Sequence, residues 1–298
     1  MKFIWLGAAV LFSSIDASTG GLVNGLTSAL SPVAGVPGNM RATDLNGDGK
    51  PDILVPETAT GWLAVRLNNG DGSFGPVTRY KVGLLPSFIT VGDFNHDGKV
   101  DVAVSNAGSG DVSVLLGRGN GTFSAAVSYP VSGSSAANGL PTLGEGTFSL
   151  VTGDFNGDGI PDIVASGTGT LNLKVLLGKG DGTFEPGENL SSLGIGPQCF
   201  SVADLNGDHK EDIAVVNSSS LYGVGDLAIL LGRGDGTFID TAANASYPLA
   251  FIPWATAVAD FNGDGIPDIA VANGFPAVVS ILFGNGDGTF RPQVEYPM

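Results

Sequence analysis

The chain has 298 residues, of which 43% are apolar and 14% charged. That is enough apolar content for a packed core, and it excludes a disordered chain. Its 29 Asp and Glu against 13 Lys and Arg give a net charge of −16. Such a charge makes nucleic acid and anionic lipid surfaces poor partners and suits cations.

The chain opens on Lys2, the apolar run Phe3 to Phe12 and the small residues Ser13, Ser14 and Ala17. This order reads as a signal peptide over 1–17, with export to the cell surface or beyond as its consequence. The run is too short to cross a bilayer as a helix. The competing reading is a buried first strand. Residues 18–37 form a lead-in, and 38–298 form one five-repeat β domain.

A nine-residue acidic pattern occurs five times, at 44–52, 93–101, 154–162, 204–212 and 260–268. Its starts are 49, 61, 50 and 56 residues apart, periods that belong to propellers, solenoids or arrays. A second turn trails each loop, ending at Phe74, Phe123, Phe184, Phe238 and Phe290. Its Gly-Asp-Gly or Gly-Asn-Gly core is a hairpin signal, because it supplies residues that tolerate φ > 0.

Between these turns each unit parses into four short strands. In the second unit they are Phe88 to Val91, Asp101 to Val104, Val112 to Leu116, and the run after Phe123 to Tyr129-Pro130. Nowhere do apolar residues hold a helical period for three turns. The expected fold is therefore all-β: a β-propeller of five four-stranded blades, with the acidic loop between the first and second strands of each. The residue after each first Asp, namely Leu45, Phe94, Phe155, Leu205 or Phe261, is expected to plug the space between blades. The Phe of each second turn is expected to do the same at the rim.

In every acidic loop, positions 1, 3, 5 and 9 carry side-chain oxygens, and the carbonyl of position 7 can add one more. The five sets are Asp44, Asn46, Asp48, Lys50 and Asp52; Asp93, Asn95, Asp97, Lys99 and Asp101; Asp154, Asn156, Asp158, Ile160 and Asp162; Asp204, Asn206, Asp208, Lys210 and Asp212; and Asp260, Asn262, Asp264, Ile266 and Asp268. Calcium takes six to eight hard oxygens at flexible geometry, so up to five Ca2+ are expected. Mg2+ demands a stricter octahedron, and zinc would want nitrogen and sulfur. The plain alternative is an Asx-rich turn without metal. An EF-hand is excluded, because position 12 is Val55, Val104, Ala165, Val215 or Val271 rather than Glu. Position 6 is Gly in four loops and His209 in the fourth. The fourth is thus expected to be the weakest site, partly compensated by Glu211.

These residues resemble the FG-GAP and VCBS-type repeats of the integrin α-subunit propeller, over about residues 38–298. The resemblance implies that the acidic loop joins the first two strands of a blade and carries Ca2+ on the residues named above. It also implies extracellular recognition of a protein or glycan. Such propellers often have seven blades and this chain has five repeats. Residues 28–34 read as the last strand of a preceding blade, so a closed ring of five and an open arc both stand.

Function follows from what the loops leave over. The leading expectation is a secreted or surface calcium-binding module for adhesion, with no catalytic residues, possessing an extracellular protein or glycan partner and standing alone or within a larger surface protein. Its contacts are sought in the longer segments Val131 to Thr147, Ser218 to Gly225, and Tyr247 to Trp254. The alternative is a polysaccharide hydrolase or lyase, which needs a positioned acid and base. Both histidines, His96 and His209, lie inside acidic loops. A third reading is a purely structural repeat region without a ligand of its own. Cys199 reads as a small core residue. The tripeptide Arg233-Gly234-Asp235 reads as a variant of the repeat turn, not as an adhesion motif.

Overall fold

The computed structural model describes residues 39–131, 149–166, 172–191, 197–218, 224–240 and 246–298. The signal-peptide and lead-in readings, the strand proposed at 28–34, and most of the first two long segments lie outside them. All regular structure among the described residues is β-strand.

The first sheet runs β1 (Arg41–Thr43), β2 (Asp52–Glu57), β3 (Trp62–Arg66) and β4 (Thr78–Lys81) in chain order. The second repeats it with β5 (Pro86–Gly92), β6 (Asp101–Asn106), β7 (Asp111–Leu115) and β8 (Val127–Pro130). The third holds β9 (Leu150–Gly153), β10 (Asp162–Ser166), β11 (Asn172–Gly178) and β12 (Phe184–Ser191). The fourth and fifth are β13 (Pro197–Ala203), β14 (Asp212–Ser218), β15 (Val224–Gly232), β16 (Phe238–Asp240), β17 (Ser246–Ala259), β18 (Asp268–Phe275), β19 (Val278–Leu282) and β20 (Val294–Pro297).

All pairings are antiparallel, and each acidic loop joins the first and second strands of its sheet, as expected. One expectation fails. Tyr247 to Trp254 is not a loop but part of β17, which pairs β15 through its first half and β18 through its second. It absorbs the change of direction in a bulge between Pro253 and Ala255. The fourth and fifth units are thereby welded into one hydrogen-bonded sheet.

In the first four sheets the second strand is a run rich in β-branched residues buried on both sides, with Ile53 to Val55 and Val102 to Val104 nearly solvent-free, while in the fifth Ala270 and Ala272 are only half-buried. The second, third and fourth sheets each lie between two neighbours, whereas Ile53, Val55 and Ala64 of the first are covered by its own Met40, Phe74 and Val77. Leu54, Leu63 and Val65 of the first sheet pack on Val102, Val104 and Leu115 of the second. Val164, Leu173 and Val175 of the third pack on Ile213, Val215 and Leu230 of the fourth. The innermost strands of all five sheets line one axial cavity of about 260 Å³, with Arg41, Thr90, Thr152, Ser201 and Val258 on its wall. This is a propeller-like arrangement of five sheets about an axis.

The plug residues behave as expected at four positions: Leu45, Phe94, Phe155 and Leu205 are buried between successive sheets. At the fifth they do not, since Phe261 is 47% exposed. Its neighbour would be the first sheet, but among the described residues no strand of the fifth sheet packs on the first as β5 packs on β9, β9 on β13 and β13 on β17.

Candidate functional site

The five acidic loops lie on one face of the sheet array. The backbone at positions 4 and 6 is left-handed in all of them, and two glycines meet that demand in loops one, three and five. The expectation for position 6 holds: His209 sits at φ 65°. Position 4 makes the same demand, and there the second loop carries His96 at φ 54°. That second strained histidine went unread in the sequence, although Gly47, Gly157, Gly207 and Gly263 align with it.

Hydrogen bonds divide the carboxylates into two kinds. The first Asp of each loop curls the backbone round itself. The Oδ2 atoms of Asp44, Asp93, Asp154 and Asp260 accept the N–H of Gly49, Gly98, Gly159 and Gly265 at 2.7–2.9 Å. Asp204 does the same for His209 at 2.8 Å. The Asn at position 3 accepts the N–H of position 5, at 2.8–3.2 Å. The Asp at position 5 accepts the N–H of position 7, at 2.8–3.0 Å. These groups remain in contact with solvent.

The ninth Asp is different. Asp52, Asp101, Asp162, Asp212 and Asp268 are fully buried. Each Oδ2 accepts the N–H of position 2 at 2.8–3.0 Å. Each Oδ1 accepts an N–H at or just past the end of the third strand, from Asn68, Gly117, Gly178, Gly232 or Gly284, at 2.7–2.9 Å. One carboxylate thus ties the loop to the centre of its sheet. Burial pushes the carboxyls of Asp162 and Asp212 up to about 6, with the nearby loop aspartates adding to the effect. Burial likewise raises Asp101. The backbone N–H of Lys50 and that of Gly265 hold Asp48 and Asp260 below the usual range.

The donor set is that of a hard cation: three carboxylates, an amide oxygen and a carbonyl within nine residues. Each carboxylate oxygen that accepts one N–H keeps a second lone pair. Even so, among the described residues no three His, Cys, Asp or Glu side chains converge as they would round an ion. The residues therefore fit calcium in chemistry, while the loop is also self-satisfied as an Asx turn.

Position 7 adds a feature that the repeat count conceals. The ammonium groups of Lys50, Lys99 and Lys210 lie 3.3, 2.9 and 3.8 Å from the position-5 carboxylates Asp48, Asp97 and Asp208. In the third and fifth loops position 7 is Ile160 and Ile266, which bring no cation.

Glu211 does not serve the fourth loop as expected. Its side chain turns back against Gly153, beside Asp154 of the third loop, and burial raises its carboxyl. Cys199 packs at the core between the fourth and fifth sheets, and burial raises its thiol. Asp235 of the Arg-Gly-Asp tripeptide accepts Thr237 N–H at 3.0 Å and Thr237 Oγ1 at 2.6 Å. Asp181 and Asp287 hold Thr183 and Thr289 in the same way, so the tripeptide is a turn of the repeat.

On the opposite face of the array, at the far ends of the second strands, Trp62, Leu84 and Trp254 are exposed. Lys81 Nζ lies 5.2 Å from the centre of the Trp62 ring.

Solved structures similar to the chain share its fold. An Agrocybe aegerita lectin recognising non-reducing terminal N-acetylglucosamine is 22% identical, with TM-score 0.54 over 86% of this chain and 65% of its own. A candidate 6-phosphogluconolactonase from Bacteroides uniformis is 14% identical, with TM-score 0.63 over 90% and 73%. BBS1N in complex with ARL6DN is 15% identical, with TM-score 0.55 over 87% and 68%. The chain thus spans about two thirds to three quarters of these proteins. The FG-GAP-like repeat matches residues 44–104, 93–165, 154–215 and 204–271. These stretches overlap into one span that begins at the first acidic loop and takes in all five, and on that match the chain belongs to the FG-GAP-like repeat family.

Proposed function

We propose that this protein is a secreted or surface-exposed propeller whose acidic loops load Ca2+ and whose opposite face binds an extracellular protein or glycan. The observation that carries this reading is the five-fold repetition of one hard-oxygen donor set on a single face. The Asp, Asn and Asp at positions 1, 3 and 5 also close the turn, and in all five units each of them adds a hard oxygen of the kind Ca2+ takes. In each loop the ion is held by the side chains of positions 1, 3, 5 and 9 and the carbonyl of position 7. Bound there, it neutralises carboxylates that otherwise repel one another.

Separation of the two faces supports the second half of the proposal. The acidic face is committed to cations. The opposite face offers Trp62, Leu84 and Trp254, and exposed aromatic rings are suited to sugar faces and protein hot spots. The likeness to a lectin is consistent with a glycan ligand. A glycan and protein array probed in 1 mM CaCl2 and in EDTA tests the reading. Calcium-dependent capture lost in Trp62→Ala/Trp254→Ala supports it; capture indifferent to both metal and tryptophans refutes it. Turnover of a glycan on the same panel would favour the hydrolase or lyase reading instead.

A further inference from the structure

Four sheet-to-sheet junctions are made in this chain by one repeated device. The carbonyl of the plug residue accepts the N–H of the second glycine of the next sheet's turn: Gly121 to Leu45, Gly182 to Phe94, Gly236 to Phe155, Gly288 to Leu205, at 2.9–3.2 Å. That glycine abuts a leucine of the preceding sheet so closely that a Cβ built on it would lie 2.5–3.0 Å from Leu67, Leu116, Leu177 or Leu231. The Phe two residues further on is buried in all four, and in three of them it stands edge-on to a tyrosine of the preceding sheet, while Phe238 lies tilted against Phe155. Tyr80 meets Phe123, Tyr129 meets Phe184 and Tyr247 meets Phe290 at 5.4–5.8 Å. The Tyr80 and Tyr247 hydroxyls also accept the N–H of the Phe they touch.

Both halves of a fifth junction are present, and neither is paired among the described residues. The fifth sheet carries the giving half: the plug Phe261, and Tyr296 at the register position of Tyr80 and Tyr247. They are 47% and 49% exposed. The first sheet carries the receiving half: Gly72, with φ 87° and nothing within 4 Å of its Cβ direction, and Phe74, less buried than its four counterparts. The two halves belong to one chain, yet four junctions do not bring them together.

We propose that this unpaired pair is an interaction surface for a second copy of the chain, joined head to tail. The Gly72–Phe74 turn of one copy seats on Phe261 and Tyr296 of another. Gly72 N–H then meets the Phe261 carbonyl, and Phe74 stands edge-on to Tyr296. The occupant follows from continuity with an interface built four times over, since among the described residues the surface that matches the fifth sheet is the first sheet. The contact is heterologous, so it propagates into rings or helical chains rather than stopping at a symmetric dimer. It does not depend on what the opposite face binds.

Light scattering across a concentration series tests this with the full chain. The parent protein is expected to gain mass with concentration. Phe261→Ser/Tyr296→Ser removes the giving half. Gly72→Asn blocks the receiving half with a side chain that tolerates φ > 0 and has free space in the single chain. Each variant alone is expected to stay monomeric, with circular dichroism and a cooperative melt confirming the fold. Mixed one to one, the variants are expected to form a dimer and nothing larger, because each keeps the half the other lacks. A parent that is monomeric at every concentration overturns the proposal, as does association that survives both variants. So does a mixture that stays monomeric, the result expected if the halves closed within one chain.

Discussion

The fifth and ninth residues of each acidic loop are both aspartates four positions apart, and the fold uses them in opposite ways. Asp97 lies at the surface, shares its charge with Lys99 at 2.9 Å and accepts one loop N–H. Asp101 is buried and accepts two N–H groups, one from the loop at Phe94 and one from Gly117 past the third strand, at 2.9 and 2.7 Å. The difference teaches that the loop is two devices in one. Its ninth residue fastens the turn to the sheet whether or not an ion is present. Positions 1, 3 and 5 shape an exposed pocket of oxygens whose use depends on what is in solution. Repetition makes both kinds equally visible in the sequence, and only burial separates them.

The comparison can be broken most forcefully by removing calcium. At about 1 mM free ion and an extracellular affinity of roughly 10⁻⁴ M, each site contributes about 1.4 kcal/mol by mass action, and five contribute about 7 kcal/mol. That matches the whole stability of an ordinary domain. A calorimetric melt in EDTA is expected to fall far below one in CaCl2. Equal melts would leave the loops as Asx turns.

Next in size is the ninth carboxylate itself. Asp101→Ala strands two buried N–H groups, at about 1–3 kcal/mol each. Urea unfolding in EDTA is expected to show a loss of about 4 kcal/mol. Asp97→Ala in the same buffer is expected to cost less than about 0.5 kcal/mol, while lowering calcium affinity. If the two variants destabilise alike without metal, the division of labour is wrong.

A pH series gives a smaller effect with a definite sign. Asp162 and Asp212 are raised to about 6 in the folded, metal-free chain, against about 3.9 unfolded. The folded state therefore binds more protons between these values. The stability these groups contribute is full below about pH 4 and is lost as pH rises through about 6. In EDTA the melt is expected to fall from pH 5 to pH 7. In saturating calcium the ion takes the proton's place, and the trend is expected to reverse.

The smallest effects sharpen the ranking of sites. An exposed lysine pair is worth less than about 1 kcal/mol, so Lys99→Ile is expected to tighten the second loop about two- to threefold. A non-glycine residue in the left-handed region costs about 1 kcal/mol. His209→Gly is thus expected to tighten the fourth loop about fivefold, and His96→Gly the second by a similar factor. By the same reasoning the third and fifth loops, with isoleucine at position 7 and glycine at positions 4 and 6, fill first in a calorimetric titration, and the second and fourth, each with a lysine and a left-handed histidine, fill last. Five equivalent sites would remove the roles given to lysine and histidine.

The all-β class, the five units, their strand order and the place of each acidic loop were legible in the sequence. They follow from local rules repeated five times: alternating or β-branched runs, glycine where φ must be positive, and Asx side chains that close their own turns. His209 was legible for the same reason, because a missing glycine shows against four that are present. What the sequence left open depends on neighbours far along the chain. Phe261 reads like Phe94 and Phe155, but a plug is buried only if another sheet covers it, and among the described residues none covers Phe261. Tyr247 to Trp254 reads as a loop by its prolines, yet pairing with β15 and β18 on its two halves makes it one strand. Glu211 sits next to Asp212 in sequence and beside Asp154 in space, since the sheets stack so that one unit's loop borders the next. Periodicity is a property of the chain alone; burial, and the fate of a half-junction, belong to what the chain is packed against.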